Sequence, residues 1–141
     1  MESENYSHKQ MSTYLYVVLV PLFLGLSIWA LSEGIFGDAV LVLGVGTALL
    51  LLFGSLRVEV SGDLVRLFFG LGIIHRTINR EKISSVKQVR NSWWFGFGVR
   101  YTPHGWMWNA SGLDAVEITY KNGKKFRIGT DDPEGLLSAL S

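Results

Sequence analysis

Two long stretches without a charged residue, residues 10–32 and 39–56, constrain this chain more than anything else in it. The first contains "YLYVVLVPLFLGLSIWAL", residues 14–31, which is apolar on every face of a helix. A bilayer-spanning helix takes about 20 such residues, and Met11, Ser12, Thr13 and Ser32 extend the run to that length. Pro21 would be costly in a soluble helix, whereas membrane helices tolerate proline. Tyr14 and Tyr16 at one end and Trp29 at the other stand where interfacial aromatics belong. The second stretch, "AVLVLGVGTALLLLFGSL", sits at the lower edge of the spanning range, with Asp38 expected near the interface. Gly44 and Ala48 form a small-xxx-small pair, with Gly46 beside them. Such pairs let two helices approach closely, although glycine is also simply common in membrane helices.

A secretory signal has a shorter apolar region, and here a second span follows directly. A hairpin buried inside a soluble protein would need a large enclosing domain, and only residues 57–141 remain after it. The expected arrangement is therefore a transmembrane hairpin over residues 13–55. The reversal "SEGIFGD" carries only Glu33 and Asp38, while Lys9 precedes the first span and Arg57, Arg66 and Arg76 follow the second. The positive-inside rule then places the reversal outside and both termini on the cytoplasmic side of the cell membrane. Residues 1–12 form a polar head that is expected to fray.

Past the hairpin, residues 57–141 hold twelve Lys and Arg against eight Asp and Glu. That mild basic lean suits an anionic membrane surface and is too small to argue for nucleic acid. The chain has no cysteine, so thiol and disulfide chemistry are excluded. From Leu56 the apolar pattern becomes an alternation. "LRVEV" puts Leu56, Val58 and Val60 on one face, "SGD" turns the chain, and "LVRLFF" returns as a hairpin. "GLG" breaks again before "IIHRTI". "NREK" suits a single helical turn, and "ISSVKQVR" is a weaker strand because Ile83, Val86 and Val89 do not alternate strictly.

"AVEITYKNGKKFRIGT" is the clearest hairpin, with Val116, Ile118, Tyr120, Phe126 and Ile128 directed inward. Its Asn122-Gly123 pair favours a two-residue type I′ turn. Asp132, Pro133 and Glu134 then start a helix as cap, first residue and acidic first turn. Leu136, Leu137 and Leu140 give that helix an apolar stripe, and Gly135 weakens it. The elements add up to about seven antiparallel strands closed by one helix.

Several phrases in this order resemble the bacterial PH-like (pleckstrin-homology-like) domain in the form that follows two membrane helices. They are "LRVEVSGDLVRLFFG", "INREKISSVKQVR", "GFGVRYTPHGWMWNASG" and "VEITYKNGKKFRIGTDDPEGLLSAL". With the two spans, the resemblance covers all but the N-terminal head. It implies an α+β membrane protein, in which a helical hairpin precedes a seven-stranded antiparallel sandwich or partly open barrel with a C-terminal helix over residues 56–141. It implies no reaction, and folds of this kind host lipid, peptide and protein binding alike.

"NSWWFGFGVRYTPHGWMWNASG", residues 91–112, concentrates four of the five tryptophans among glycines. "FGVRY" reads as a strand and "GWMWNAS" as its partner. Trp106 and Trp108 share a face, either as core or as a binding surface. Trp93 and Trp94 are adjacent, so in a strand they point to opposite sides, and at least one belongs at a bilayer or partner interface. The run "KNGKK" is either a solvated hairpin end or a site of attraction to anionic lipid. Candidate contact residues are therefore Trp93, Trp94, Arg100, Trp106, Trp108, Lys124 and Lys125, with Gly44 and Ala48 as candidates for helix packing.

His8, His75 and His104 are isolated and lack metal-ligand spacing. "GLG" and "GFG" lack a phosphate-cradling context. "NAS" at Asn109 matches a glycosylation acceptor, which a cytoplasmic location discounts. No cofactor is implied. The expected function is a non-enzymatic, membrane-anchored module that engages a lipid headgroup or a protein partner. The alternative is an accessory subunit of a larger membrane complex, bound through its hairpin. The expected partners are membrane lipids and either a protein partner or further copies of the chain in a homo-oligomer.

Overall fold

The computed structural model describes residues 5–96, 98–110 and 112–141. The expectations placed on Phe97 and Ser111 fall outside them. Two apolar helices, α1 (Thr13–Ser32) and α2 (Phe36–Phe53), are each long and apolar enough to cross a membrane. They pack where Gly46 lets α1 come close: a Cβ at Gly46 would lie 2.7 Å from Phe23 Cγ. Ala30 and Ala39 are buried in the same seam, and Ser27 Oγ donates to the Ala39 carbonyl at 3.4 Å. Gly44 and Ala48 are exposed, and a Cβ on Gly44 would meet nothing within 4 Å. The expected small-residue pair therefore does not join these two helices; Gly46 does.

The polar head does not fray from Tyr6 onward. Tyr6–Met11 is a strand, β1, paired antiparallel with β2 (Ser55–Ser61) from Tyr6↔Val60 to Met11↔Ser55. The helical hairpin is thus inserted between two adjacent strands of one ladder. Its connectors are single residues, Ser12 on the way in and Gly54 on the way out. Ser12 N–H donates to the Gly54 carbonyl at 2.9 Å, and Ser12 Oγ donates to the Phe53 carbonyl at 2.6 Å.

β3 (Leu64–Phe69) and β4 (Ile74–Asn79) complete a four-stranded sheet in the order β1-β2-β3-β4. The second sheet holds β5 (Ile83–Arg90), β6 (Gly98–Thr102), β7 (Gly105–Asn109), β8 (Asp114–Tyr120) and β9 (Lys125–Gly129), ordered β5-β8-β9-β7-β6. The described strands therefore number nine rather than seven, in two sheets that do not close into a barrel. One pairing, β7 with β9, is parallel, so the arrangement is not purely antiparallel. α3 (Pro133–Leu140) covers one end and contacts β5, β8 and β1.

The core lies between the sheets. Leu56, Val58, Val60, Val65, Leu67 and Phe69 from one side meet Trp108, Val116, Ile118, Phe126 and Ile128 from the other, with Leu136 of α3. Burying each such side chain stabilises the fold by about 1.5–3 kcal/mol. β5 shows why its pattern looked weak: the register slips between Ile83 and Ser85. The extra residue puts Ile83 and Val86 on one face, opposite Tyr120 and Ile118, while Val89 falls on the other, beside Ala115.

The β8–β9 turn also departs from expectation. Gly123 has φ +86° and no described non-glycine residue has a positive φ, so Asn122 does not fit a type I′ turn. Instead Gly123 N–H donates to the Tyr120 carbonyl and Tyr120 N–H to the Lys124 carbonyl, a longer loop with glycine in the left-handed position. Gly135 has a positive role in α3: a Cβ there would lie 2.1 Å from Oδ2 of the Asp132 cap, whose Oδ1 accepts from Gly135 N–H at 3.1 Å.

Candidate functional site

Two loops of the domain carry large exposed apolar side chains, and one of them is fixed to the helices. Between β3 and β4, Leu71 N–H donates to the Leu51 carbonyl of α2 at 3.1 Å. Gly70 packs so tightly on that turn of α2 that a Cβ would lie 1.9 Å from the Leu51 oxygen. The loop is pinned to the helix by backbone, yet Leu71 and Ile73 stand 66% and 69% exposed. Between β5 and β6, Trp93–Phe95 forms one short helical turn rather than a strand. Trp93 and Trp94 therefore do not point to opposite sides of a sheet; both are exposed, with rings edge-on at 6.0 Å.

The chain that follows this turn faces α1. A cleft of about 640 Å³ lies between the first two turns of α1 and the start of β6, floored by Phe53, Ile74 and Ala110. Leu15, Val18 and Leu19 form one wall and Gly96, Gly98 and Val99 the other. Arg100 is the one charged residue among the described lining, and its register with Met107 and Arg127 sets it on the face of β6 opposite Val99. Gly96 and Gly98 have φ of +75° and +88°, so glycine is needed for the path of the backbone as well as for the open space.

Trp106 and Trp108 share a phase but not an environment. Trp108 is core, 5.2 Å from the Phe69 ring and 6.3 Å from that of Phe126. Trp106 is half exposed and meets Tyr101 edge-on at 5.2 Å. The reason is position along β7: Trp106 lies next to the Thr102↔Gly105 end of the hairpin, whereas Trp108, two residues further on, lies over Phe69 of the opposing sheet. The basic hairpin end lies elsewhere. Lys125 packs its carbonyl under Gly105, at the Thr102↔Gly105 end of the β6–β7 pair, away from the cleft. Lys124 is exposed in the adjoining turn.

Lys125 also has a structural partner. Glu117 is buried on the outer face of the five-stranded sheet, where Arg127 Nε donates to its Oε2 at 2.8 Å and Arg127 Nη1 donates to Asn91 Oδ1 at 3.0 Å. Lys125 and Lys87 Nζ stand 3.4 and 3.5 Å from Glu117 Oε1. Burial alone would raise the Glu117 carboxyl; the hydrogen bond and charge of Arg127, with Lys125, hold it below its ordinary value. On the opposite edge Tyr6 donates to Asp132 at 3.0 Å, and burial, then that carboxylate, pushes the phenol well above its usual value. His8 reaches Asp131 beside it. These groups lock β1 and β9 in place.

Among the described residues no group of three or more His, Cys, Asp or Glu is gathered for a metal ion. The turn of Leu71 and Ile73 and the cleft itself were missed in the sequence; the run "GLGII" was a usable signal, because a turn has no need of two large aliphatic side chains. No family model matches the chain, and no curated protein and no solved structure matches it.

Proposed function

We propose that this chain is a membrane-anchored, non-enzymatic binding module of PH-like type. Its helices span the cell membrane, and its β-rich domain lies against the cytoplasmic face and engages a lipid headgroup or a protein partner. One observation carries the reading: the exposed large apolar residues Leu71 and Ile73, on the loop pinned to α2, and Val99, beside α1, lie where the domain meets the helices, and Trp93 and Trp94 are exposed on the turn that leads into this region. Large apolar side chains exposed beside such helices mark an interaction surface, and tryptophan suits the headgroup level. The β1–β2 ladder supports placing both termini on one side, since it joins the segment before α1 to the domain after α2. The charge bias favours the cytoplasmic side.

The alternative, an accessory subunit, is favoured by Gly44 and Ala48. They leave a small-residue stripe on α2 turned away from α1, where another helix could seat. Purification in mild detergent, followed by mass analysis of the intact complex, tests the two. A chain that carries lipid, or a partner in variable amount, supports the module. A partner in fixed stoichiometry, lost on Gly44→Leu, supports the subunit and sinks the first reading.

A further inference from the structure

We infer that Lys9 and Arg57 together hold the phosphate of an anionic phospholipid, in the leaflet where the two helices join the β-rich domain. This rests on the membrane-anchored reading above and names a ligand and its residues. Lys9 and Arg57 stand directly opposite each other in the β1–β2 ladder. Residues so placed have Cβ atoms about 5 Å apart, and like charges there destabilise a sheet. The second sheet avoids this conflict: Lys87 and Arg127 both stand opposite Glu117, which lies between them. Lys9 and Arg57 have no carboxylate between them. An anion supplied from outside turns their repulsion into a two-sided clamp, with charge-assisted hydrogen bonds from both.

The pair lies on the open face of its sheet. Lys9 is exposed next to buried Gln10, and Arg57 is exposed between buried Leu56 and Val58. The same row continues across the sheet through Phe68 to His75 and brings no carboxylate. The Arg57 guanidinium lies over the Phe68 ring at 5.0 Å, with Nε 3.2 Å from Glu59 Oε1. Arg57 is thus held in place, but Glu59 also stands opposite Arg66, so one carboxylate serves two arginines. Depth follows from the chain. Lys9 comes three residues before Ser12 and Arg57 three after Gly54, the two connectors of the hairpin. Three residues of strand span about 10 Å, and the headgroup layer on each side of a bilayer is about 5–8 Å thick. Long basic side chains cover the difference. Residues 10–32 and 39–56 carry no charge, so on leaving the helices these two are the first charges a headgroup meets.

The test uses the full chain in detergent, titrated with phosphatidylglycerol or phosphatidylcholine and read by native mass spectrometry. One phosphatidylglycerol should bind about fivefold more tightly than phosphatidylcholine, whose choline the two bases repel. Lys9→Gln and Arg57→Gln should each weaken it about fivefold, as loss of one basic residue close to the surface warrants. Arg57→Lys should keep most of the affinity, and Lys121→Gln, in the exposed β8–β9 turn, should leave it unchanged. Without lipid, Lys9→Gln should melt no lower than wild type, because it removes a repulsion. If Arg57→Gln fails to fold, Lys9→Gln decides alone. Phosphatidylglycerol affinity unchanged in Lys9→Gln, or lowered equally by Lys121→Gln, overturns the inference. Displacement of the lipid by equimolar glycerol 3-phosphate overturns it too, and assigns the pair to a free phosphate compound. Loss of a copurifying protein in Lys9→Gln, with lipid binding intact, overturns it in favour of a protein partner. Release of the wild-type chain from membranes by alkaline carbonate would instead overturn the membrane-anchored reading beneath it.

Discussion

The backbone of Ser12 and that of Gly54 are hydrogen-bonded at 2.9 Å, so the residue that starts the helical hairpin is tied to the one that ends it. Ser12 has φ −79°, which proline accepts. Ser12→Pro therefore removes this bond and the one from Oγ with little backbone strain. It should lower stability in detergent by about 1–3 kcal/mol. A melting temperature equal to that of the wild type would mean that the clamp contributes nothing.

Topology can be read with single cysteines, because the chain has none. Ser7 and Lys124 are exposed on the domain, and Gly37 lies at the reversal where an added Cβ meets nothing within 4 Å. In intact cells an impermeant maleimide should label Gly37→Cys and spare Ser7→Cys and Lys124→Cys. The reverse pattern would turn the protein over in the membrane, and a split between Ser7 and Lys124 would be incompatible with the β1–β2 ladder.

Phe126 is 1% exposed between the two sheets, with the Arg76 guanidinium 4.5 Å from its ring centre. Phe126→Ala should cost about 3–5 kcal/mol. Lys124→Ala, in the exposed turn two residues away, should fall within about 0.5 kcal/mol of wild type. Chemical denaturation of both variants measures the contrast, and similar costs would place the strand register in error by one residue.

Glu117 gives the fold an acid limit. Its carboxyl is held below the ordinary value in the folded chain. The stability it supplies is therefore present above the unfolded value of about 4.3 and is lost as pH falls through the lower folded value. Glu117→Gln should destabilise by about 3 kcal/mol at pH 7, since it leaves buried Arg127 without its counter-charge. That gap should shrink as pH falls from about 5 towards 3. A difference independent of pH would show that the ion pair is not what stabilises the site.

Trp93 and Trp94 are 75% and 68% exposed. With the remaining tryptophans replaced by phenylalanine, variants that keep only Trp93 or only Trp94 should be quenched more strongly by lipids brominated near the headgroup than by acrylamide. Quenching by acrylamide alone at both positions would remove them from the bilayer interface.

Strand phase was legible wherever alternation met a two-sided environment. Val58, Val60, Val116, Ile118, Phe126 and Ile128 all lie where their spacing puts them, because one face of each strand is core. It failed where the environment changed along a strand. Trp106 and Trp108 have the same phase, and only their distance from the β6–β7 turn separates an exposed ring from a buried one. It failed also for β1, whose "YSHKQM" looks solvated because its hydrogen bonds go to β2 and its side chains to Asp131, Asp132 and the Gly129 carbonyl. The cleft was invisible because it joins residues 12–19 to residues 96–110, a juxtaposition that no local pattern encodes.

The insertion of both helices inside one β-ladder has a consequence for biosynthesis. β1 leaves the ribosome first, yet its partner arrives only after residues 12–54 have been made. For helices that cross a bilayer as proposed, the ladder could zip only when the two ends of the hairpin return to the same compartment, and completion of the sheet would then proofread membrane insertion. A chain in which Leu43→Arg and Val45→Arg keep α2 from inserting should strand β1 on the wrong side and leave residues 55–141 open to protease. Domain protection equal to wild type in that chain would show that the sheet assembles without waiting for its first strand.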